Sequence, residues 1–118
     1  HGPFDLTMME NGAYDQNWES VHMTPEQTLQ AHRDLKGKVM MPIHNGTFDL
    51  AFHEWTDPFE RIKKLAYENQ QALTTPQIGE RWLLHETAPQ TAWWRLGKQE
   101  NTQQVVKTKT LTLDHRVN

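Results

Sequence analysis

Met41-Pro42-Ile43-His44-Asn45-Gly46-Thr47-Phe48 is an apolar run that stops at a histidine and turns at once through Asn-Gly. A buried strand of about 4 to 8 apolar residues followed by a turn carries its first polar side chain to the strand's carboxyl end, where open α/β sheets collect ligands. His44 is therefore the first candidate functional residue. Working backwards, Val39 to Ile43 is almost continuously apolar, as expected of a parallel strand covered on both faces. Before it, Thr24-Pro25-Glu26-Gln27 predicts a helix start on three agreeing signals: Thr at the N-cap, Pro at the first helical position and Gln three residues after Thr. Leu29, His32 and Leu35 mark that helix's inner face, and Gly37 supplies the stop. Phe4 to Met9 reads as an earlier strand ending at Asn11-Gly12. Strand, helix, strand implies a right-handed crossover and a parallel pairing of Phe4–Met9 with Val39–Ile43.

Further along, Ala13 to Trp18 is a polar and aromatic loop. Asp57-Pro58-Phe59-Glu60 repeats the helix-start chemistry, with Asp57 as the cap, Pro58 first and Glu60 closing a capping box. Phe59, Ile62, Leu65 and Ala66 form the apolar stripe of this second helix. Thr74-Thr75-Pro76 ends the helical region, and Ile78 to Leu84 is expected to be a third strand. Beyond it lie Trp93-Trp94, a Gln-rich stretch and Val105 to Leu113, whose alternation suggests an edge strand or a loosely held end. The expected fold class is α/β, built as βαβαβ with an irregular tail over 85–118.

The 118 residues fit one small domain and exclude two. A strand starting almost immediately after His1 leaves no lead-in, so the chain is expected to be a piece of something longer. Zero cysteines remove disulfides, thiolate metal sites and Cys nucleophiles, and fit either redox compartment. No apolar run approaches the roughly 18 residues that span a bilayer. A net charge of -3 with scattered basic residues argues against nucleic acid, which calls for a basic stripe. Arg61, Lys63 and Lys64 read as a solvated helix face.

Seven histidines invite a metal hypothesis, since neutral imidazole is the commonest biological metal ligand. Yet no H-x-H, H-E-x-x-H or H-x-x-x-H occurs, and a zinc site normally needs at least three protein ligands. Any site must be assembled from distant segments. For His44 the residues alone leave a ligand or catalytic role and a structural role both open. His22 lies just before the Thr24 cap, above the same sheet edge if the strands are parallel neighbours, and is either functional or a surface histidine beside a cap. His32, on its helix's apolar face, reads as a hydrogen-bonded core residue. His53 stays ambiguous. The five tryptophans are read first as packing, with an interfacial role near lipid as the alternative. Neither a Ser-His-Asp nucleophile elbow nor a phosphate-cradling Gly-rich loop is present.

Five blocks in order, Gly2-Pro3-Phe4-Asp5-Leu6, Gly12-Ala13-Tyr14, His22 with Pro25-Glu26, His32-Arg33-Asp34-Leu35 and Ile43 to Phe48, resemble the carboxyl-terminal half of metallo-β-lactamase-fold hydrolases. The resemblance is to the branch containing N-acylphosphatidylethanolamine-hydrolysing phospholipase D and its bacterial relatives, and covers roughly residues 2 to 84. It implies the carboxyl-terminal βαβαβ half of an αβ/βα sandwich, with residues 1–118 a single partial domain. It also implies that His44 is a ligand of the second ion in a two-metal site, and that His22 contacts substrate or transition state. Val21 stands where the mammalian lipase carries an amide, and Asn45 replaces the tryptophan common in I-H-W-G-T-F. The implied cofactor is zinc as two ions, with iron or manganese as alternatives. The family's H-x-H-x-D-H motif and its other ligands are absent from this segment, so by itself the chain is expected to be inactive and to bind no metal tightly.

Half a sandwich leaves one apolar sheet face wet. The expected partners are therefore the missing amino-terminal half, a small-molecule or phospholipid-like substrate of the parent, and a second copy of the fragment, with no nucleic acid among them. The expected setting is the cytoplasm or a membrane periphery. The resemblance implies that the parent is a phosphodiesterase or phospholipase D-like hydrolase using a metal-activated water. A rival reading, from the chain as given, is a non-catalytic α/β binding or assembly module.

Overall fold

The computed structural model describes residues 1–96. Val105 to Leu113 lies outside the described residues. The order of elements is β1 (Phe4–Glu10), α1 (Pro25–Asp34), β2 (Gly37–Ile43), α2 (Asp57–Glu68) and β3 (Ala72–Leu73), with single 3-10 turns at Gln16–Trp18 and Trp93–Arg95. The sheet order is β1-β2-β3 and both pairings are parallel, with Leu6 opposite Val39, Met8 opposite Met41 and Val39 opposite Ala72. This is a mixed α/β unit in βαβαβ order, the α/β class expected from the sequence.

Helix α1 begins as its sequence dictates. The Thr24 hydroxyl accepts from the Gln27 N–H, the Gln27 side chain accepts from the Thr24 N–H, and Pro25 follows the cap. Its buried face is Pro25, Thr28, Leu29 and His32. Leu35 caps the helix and stays exposed instead of joining that face. Helix α2 buries Phe59, Ile62 and Ala66 as its stripe requires. Its N-terminus differs from the expected capping box. Thr56 takes the cap position without a side-chain bond, and Asp57 is the first helical residue. The side chains expected to cap are held elsewhere: Asp57 accepts from the Tyr14 hydroxyl, and Glu60 accepts from Trp94 Nε1 at 2.8 Å and from Arg95. Tertiary partners from outside the helix replace the local reciprocal bonds.

The third strand is not Ile78–Leu84. The chain leaves α2 at Asn69 and pairs immediately, placing Leu73 beside Met40. Ile78 is 85% exposed, and Gly79 sits in a turn with φ +86 closed by the Glu80 N–H on the Gln77 carbonyl. A segment broken by a turn glycine and by Glu80 and Arg81 has no continuous apolar face to bury as a strand. Thr74 and Thr75 are buried, donating their hydroxyls to the Pro89 and Thr91 carbonyls and so tying the following loop down. Trp94 is 1% exposed and stacks on Phe59 with ring centroids 4.7 Å apart.

Leu29, Met40, Ile62, Ala66 and Leu73 form the core between the helices and one sheet face. Strand alternation sends Phe4, Leu6, Met8, Val39, Met41 and Ile43 to the other face. Phe4, Met8 and Ile43 remain exposed there, Met8 at 61%.

Candidate functional site

Three side chains from separate segments meet at the carboxyl edge of the sheet. Glu10 is the last residue of β1, His44 follows β2 directly, and His22 lies in the loop leading to α1. One donor atom from each lies within 4.8 Å of the others. The His22 and His44 rings are tilted against each other, with centroids 5.2 Å apart. His22 Nδ1 lies 2.6 Å from Glu10 Oε1, and Glu10 Oε2 accepts from the Met23 N–H at 3.1 Å. The structure thus brings together His22 and His44, which the sequence singled out, and adds Glu10, which it did not.

The backbone around His44 is built under constraint. His44 has φ +62, a left-handed conformation that costs an ordinary L-residue about 1–2 kcal/mol. Such strain persists only where the surroundings impose it. They do so through Gly12: a Cβ at that position would lie 1.7 Å from the His44 carbonyl oxygen, so only glycine lets the two loops touch. The Asn11 N–H donates to the Ile43 carbonyl at 2.9 Å, and the buried Asn11 side chain donates to the Pro58 carbonyl at 2.9 Å. One short segment therefore ties the ends of β1, β2 and the start of α2 together behind the histidine.

Beside this cluster is a cleft of about 640 Å³ whose lining includes Tyr14, Glu19, His22, Phe52, His53 and Arg61. His53 stacks on Tyr14 with centroids 4.2 Å apart, and the Arg61 guanidinium lies 4.9 Å from the same ring. Burial first, and then the Asp57 carboxylate, push the Tyr14 phenol well above its ordinary range, so it stays a donor. Arg61 is held by Glu26 at 2.8 and 2.9 Å. Tyr14, His53 and Arg61 are thus a stiff wall. Phe52, 85% exposed, and Phe48, 75% exposed, rim the site with apolar surface. His32 is elsewhere, fully buried and 2.6 Å from the Thr7 hydroxyl.

Two imidazoles and a carboxylate are the donors that suit a borderline divalent cation such as zinc, iron or manganese. Their proximity in three-dimensional space, from segments 12 and more residues apart in the chain, fits such an ion. Residues 1–45 match the family model described as the beta-lactamase superfamily domain. An uncharacterised protein of Mycobacterium bovis is 40% identical over 101 residues, covering 81% of this chain and 27% of that protein. The outer membrane protein RomA of Klebsiella pneumoniae is 51% identical over 45 residues, 38% of this chain and 34% of that protein. The N-acyl-phosphatidylethanolamine-hydrolyzing phospholipase D 1 of Caenorhabditis elegans is 28% identical over 88 residues, 69% of this chain and 25% of that protein. These likenesses place residues 1–45 alongside the beta-lactamase superfamily domain. The chain spans little more than a quarter of the length of the mycobacterial relative. Among the described residues, no helix is long and apolar enough to cross a membrane.

Proposed function

We propose that this chain is the carboxyl-terminal part of a metal-dependent hydrolase that cleaves phosphodiesters or phospholipid-like substrates. The observation that carries this reading is the convergence of His22 and His44 at the carboxyl edge of a parallel sheet, on a His44 backbone held at φ +62. His44 would hold one of two metal ions, zinc first among the candidates, whose other ligands come from outside these 118 residues. Such ions lower the pKa of a bound water and stabilise charge developing on phosphoryl oxygens.

His22 contacts the reacting group. An imidazole there can hold a proton for the leaving oxygen or donate a hydrogen bond to a phosphoryl oxygen. The stiff Tyr14, His53 and Arg61 wall orients the remainder of the substrate, and the apolar rim of Phe48 and Phe52 excludes water from it. The similarity to a phospholipase D favours a phosphodiester substrate. The sheet face that no element covers among the described residues supports a second layer supplied by the rest of the parent, since parallel sheets are ordinarily covered on both sides. By itself the chain lacks the remaining ligands and is inactive.

The longer protein carrying this chain is tested on bis(p-nitrophenyl) phosphate, with bound metal measured by mass spectrometry. His44→Ala is expected to lose one metal ion per chain and nearly all turnover. His22→Ala is expected to keep its metal and lose about 100-fold or more in kcat, the scale of one general acid or base. Full turnover and full metal content in His44→Ala would leave the binding-module reading in its place.

A further inference from the structure

Glu10 has no role in the reading above, yet it is the most firmly held member of the cluster. Its main chain is fixed as the end of β1, where its carbonyl accepts the Thr28 hydroxyl at 2.7 Å. The next residue, Asn11, is fully buried and hydrogen-bonded to β2. The carboxylate therefore projects from a rigid base. Both of its oxygens are engaged by one stretch of loop: Oε1 with His22 Nδ1 at 2.6 Å, and Oε2 with the Met23 N–H at 3.1 Å.

The chemistry of this pair decides where the imidazole proton sits. An ionised carboxylate offers acceptors only, so the hydrogen between Oε1 and Nδ1 belongs to the histidine. A separation of 2.6 Å is at the short end for such a bond, as charge assistance produces. The second oxygen prevents the carboxylate from swinging, because the Met23 N–H comes from the residue next to His22 in the chain. Ring and carboxylate are thereby registered to each other twice. With Nδ1 occupied, Nε2 is the nitrogen of His22 left for chemistry.

We propose that Glu10 is a positioning residue: it holds His22 in the Nδ1–H form and fixes the ring so that Nε2 serves the space beside His44. The proposal deepens the hydrolase reading and rests on it for the identity of the reaction. It parallels the general arrangement in which a carboxylate orients a working imidazole through the other ring nitrogen. The competing role, Glu10 as a metal ligand, would have to use a lone pair left over beside these two bonds, since each carboxylate oxygen carries two. The double engagement favours positioning.

The test reads the proton directly. Long-range nitrogen–proton spectra of the 118-residue chain, recorded at about pH 9 where an ordinary imidazole is neutral, report the tautomer of each histidine. His22 is expected almost wholly in the Nδ1–H form, and Glu10→Ala is expected to shift most of it to Nε2–H while leaving His32 unchanged. Glu10→Leu, which keeps bulk at the strand end, serves if the alanine variant does not fold, and is expected to give the same shift. Adding zinc should leave the Nδ1 proton in place. An Nε2–H form in the unsubstituted chain, or a tautomer insensitive to Glu10, overturns the proposal. Loss of the Nδ1 proton on adding zinc overturns it, since His22 would then ligate through the nitrogen that Glu10 is proposed to hold. None of these spectra requires turnover, so a longer protein that hydrolyses no phosphodiester would overturn the hydrolase reading alone.

Discussion

His44 combines two properties that rarely coincide without a reason: a functional side-chain type and a backbone conformation that its Cβ resists. Glycine at this position would adopt φ +62 freely, and asparagine tolerates it better than most residues. His44→Gly is therefore expected to keep or raise the stability of the chain, by up to about 1 kcal/mol, while abolishing activity of the longer protein. Urea denaturation of the chain beside turnover of the parent checks both halves. A loss of stability would mean that the imidazole itself holds the fold together. Gly12 behaves in the opposite way. With a Cβ placed 1.7 Å from the His44 carbonyl, Gly12→Ala must push the two loops apart. It is expected to cost about 2–4 kcal/mol, within the range of a backbone clash at a tightly constrained site. In nitrogen–proton spectra it should also move the His44 resonances. Small shifts confined to residue 12 would show that the loops can part without cost.

At the scale of elements, α1 is locked to β1 through His32, whose ring meets the Thr7 hydroxyl and packs under Gly37. Burial first, with Arg33 adding to it, lowers the His32 pKa below its ordinary 6.5. The unfolded chain then binds a proton that the folded chain refuses. Stability is unaffected above about pH 6.5, falls as pH drops through the window between the unfolded and the depressed folded value, and levels off below it. His32→Leu is expected to remove this acid-side slope, as read from urea midpoints at pH 5 and pH 7.5. An unchanged slope would place the acid sensitivity in another group. Glu60 acts lower: the Arg95 hydrogen bond, assisted by Trp94, holds its carboxyl at about 2, so its share of stability is lost only as pH falls from about 4.5 toward 2. The pair is substantially exposed and is weakened by salt.

These elements were legible in the sequence where their signals are local. The α1 start is written in Thr24-Pro25-Glu26-Gln27, and its inner face in Leu29 and His32. Asp57 carried the same signal, but long-range bonds to Tyr14 took the carboxylate away from capping. The third strand was misplaced because a strand of two residues, Ala72–Leu73, has no periodicity to read, whereas Ile78 to Leu84 is strand-length and carries Ile78, Trp82, Leu83 and Leu84. His22 and His44 were legible at the sheet edge. Glu10 was missed because Asp5 and Thr7 interrupt the apolar pattern of β1, although Glu10 too closes a strand just before an Asn-Gly pair.

For the molecule as a whole, the decisive quantity is the sheet face that no element covers among the described residues. Phe4, Met8 and Ile43 are 39%, 61% and 39% exposed there, beside a β2 whose Val39 to Ile43 is continuously apolar. These exposed apolar side chains mark the face as the one a further layer would cover. At about 25 cal/mol for each Å² of apolar surface removed from water, covering such a face stabilises whatever covers it. In the parent that cover is proposed to be the rest of the domain. When the 118-residue chain is studied alone, a second copy is the cover at hand, so sedimentation velocity should show reversible, concentration-dependent self-association. Met8→Lys and Ile43→Lys place charges on that face without touching Leu29, Met40 or Ile62 on the other. Together they are expected to leave the chain monomeric and still folded, with no loss of helical signal. A wild-type chain that stays monomeric at high concentration would show that the face is satisfied already, and the second layer would then lie within these 118 residues.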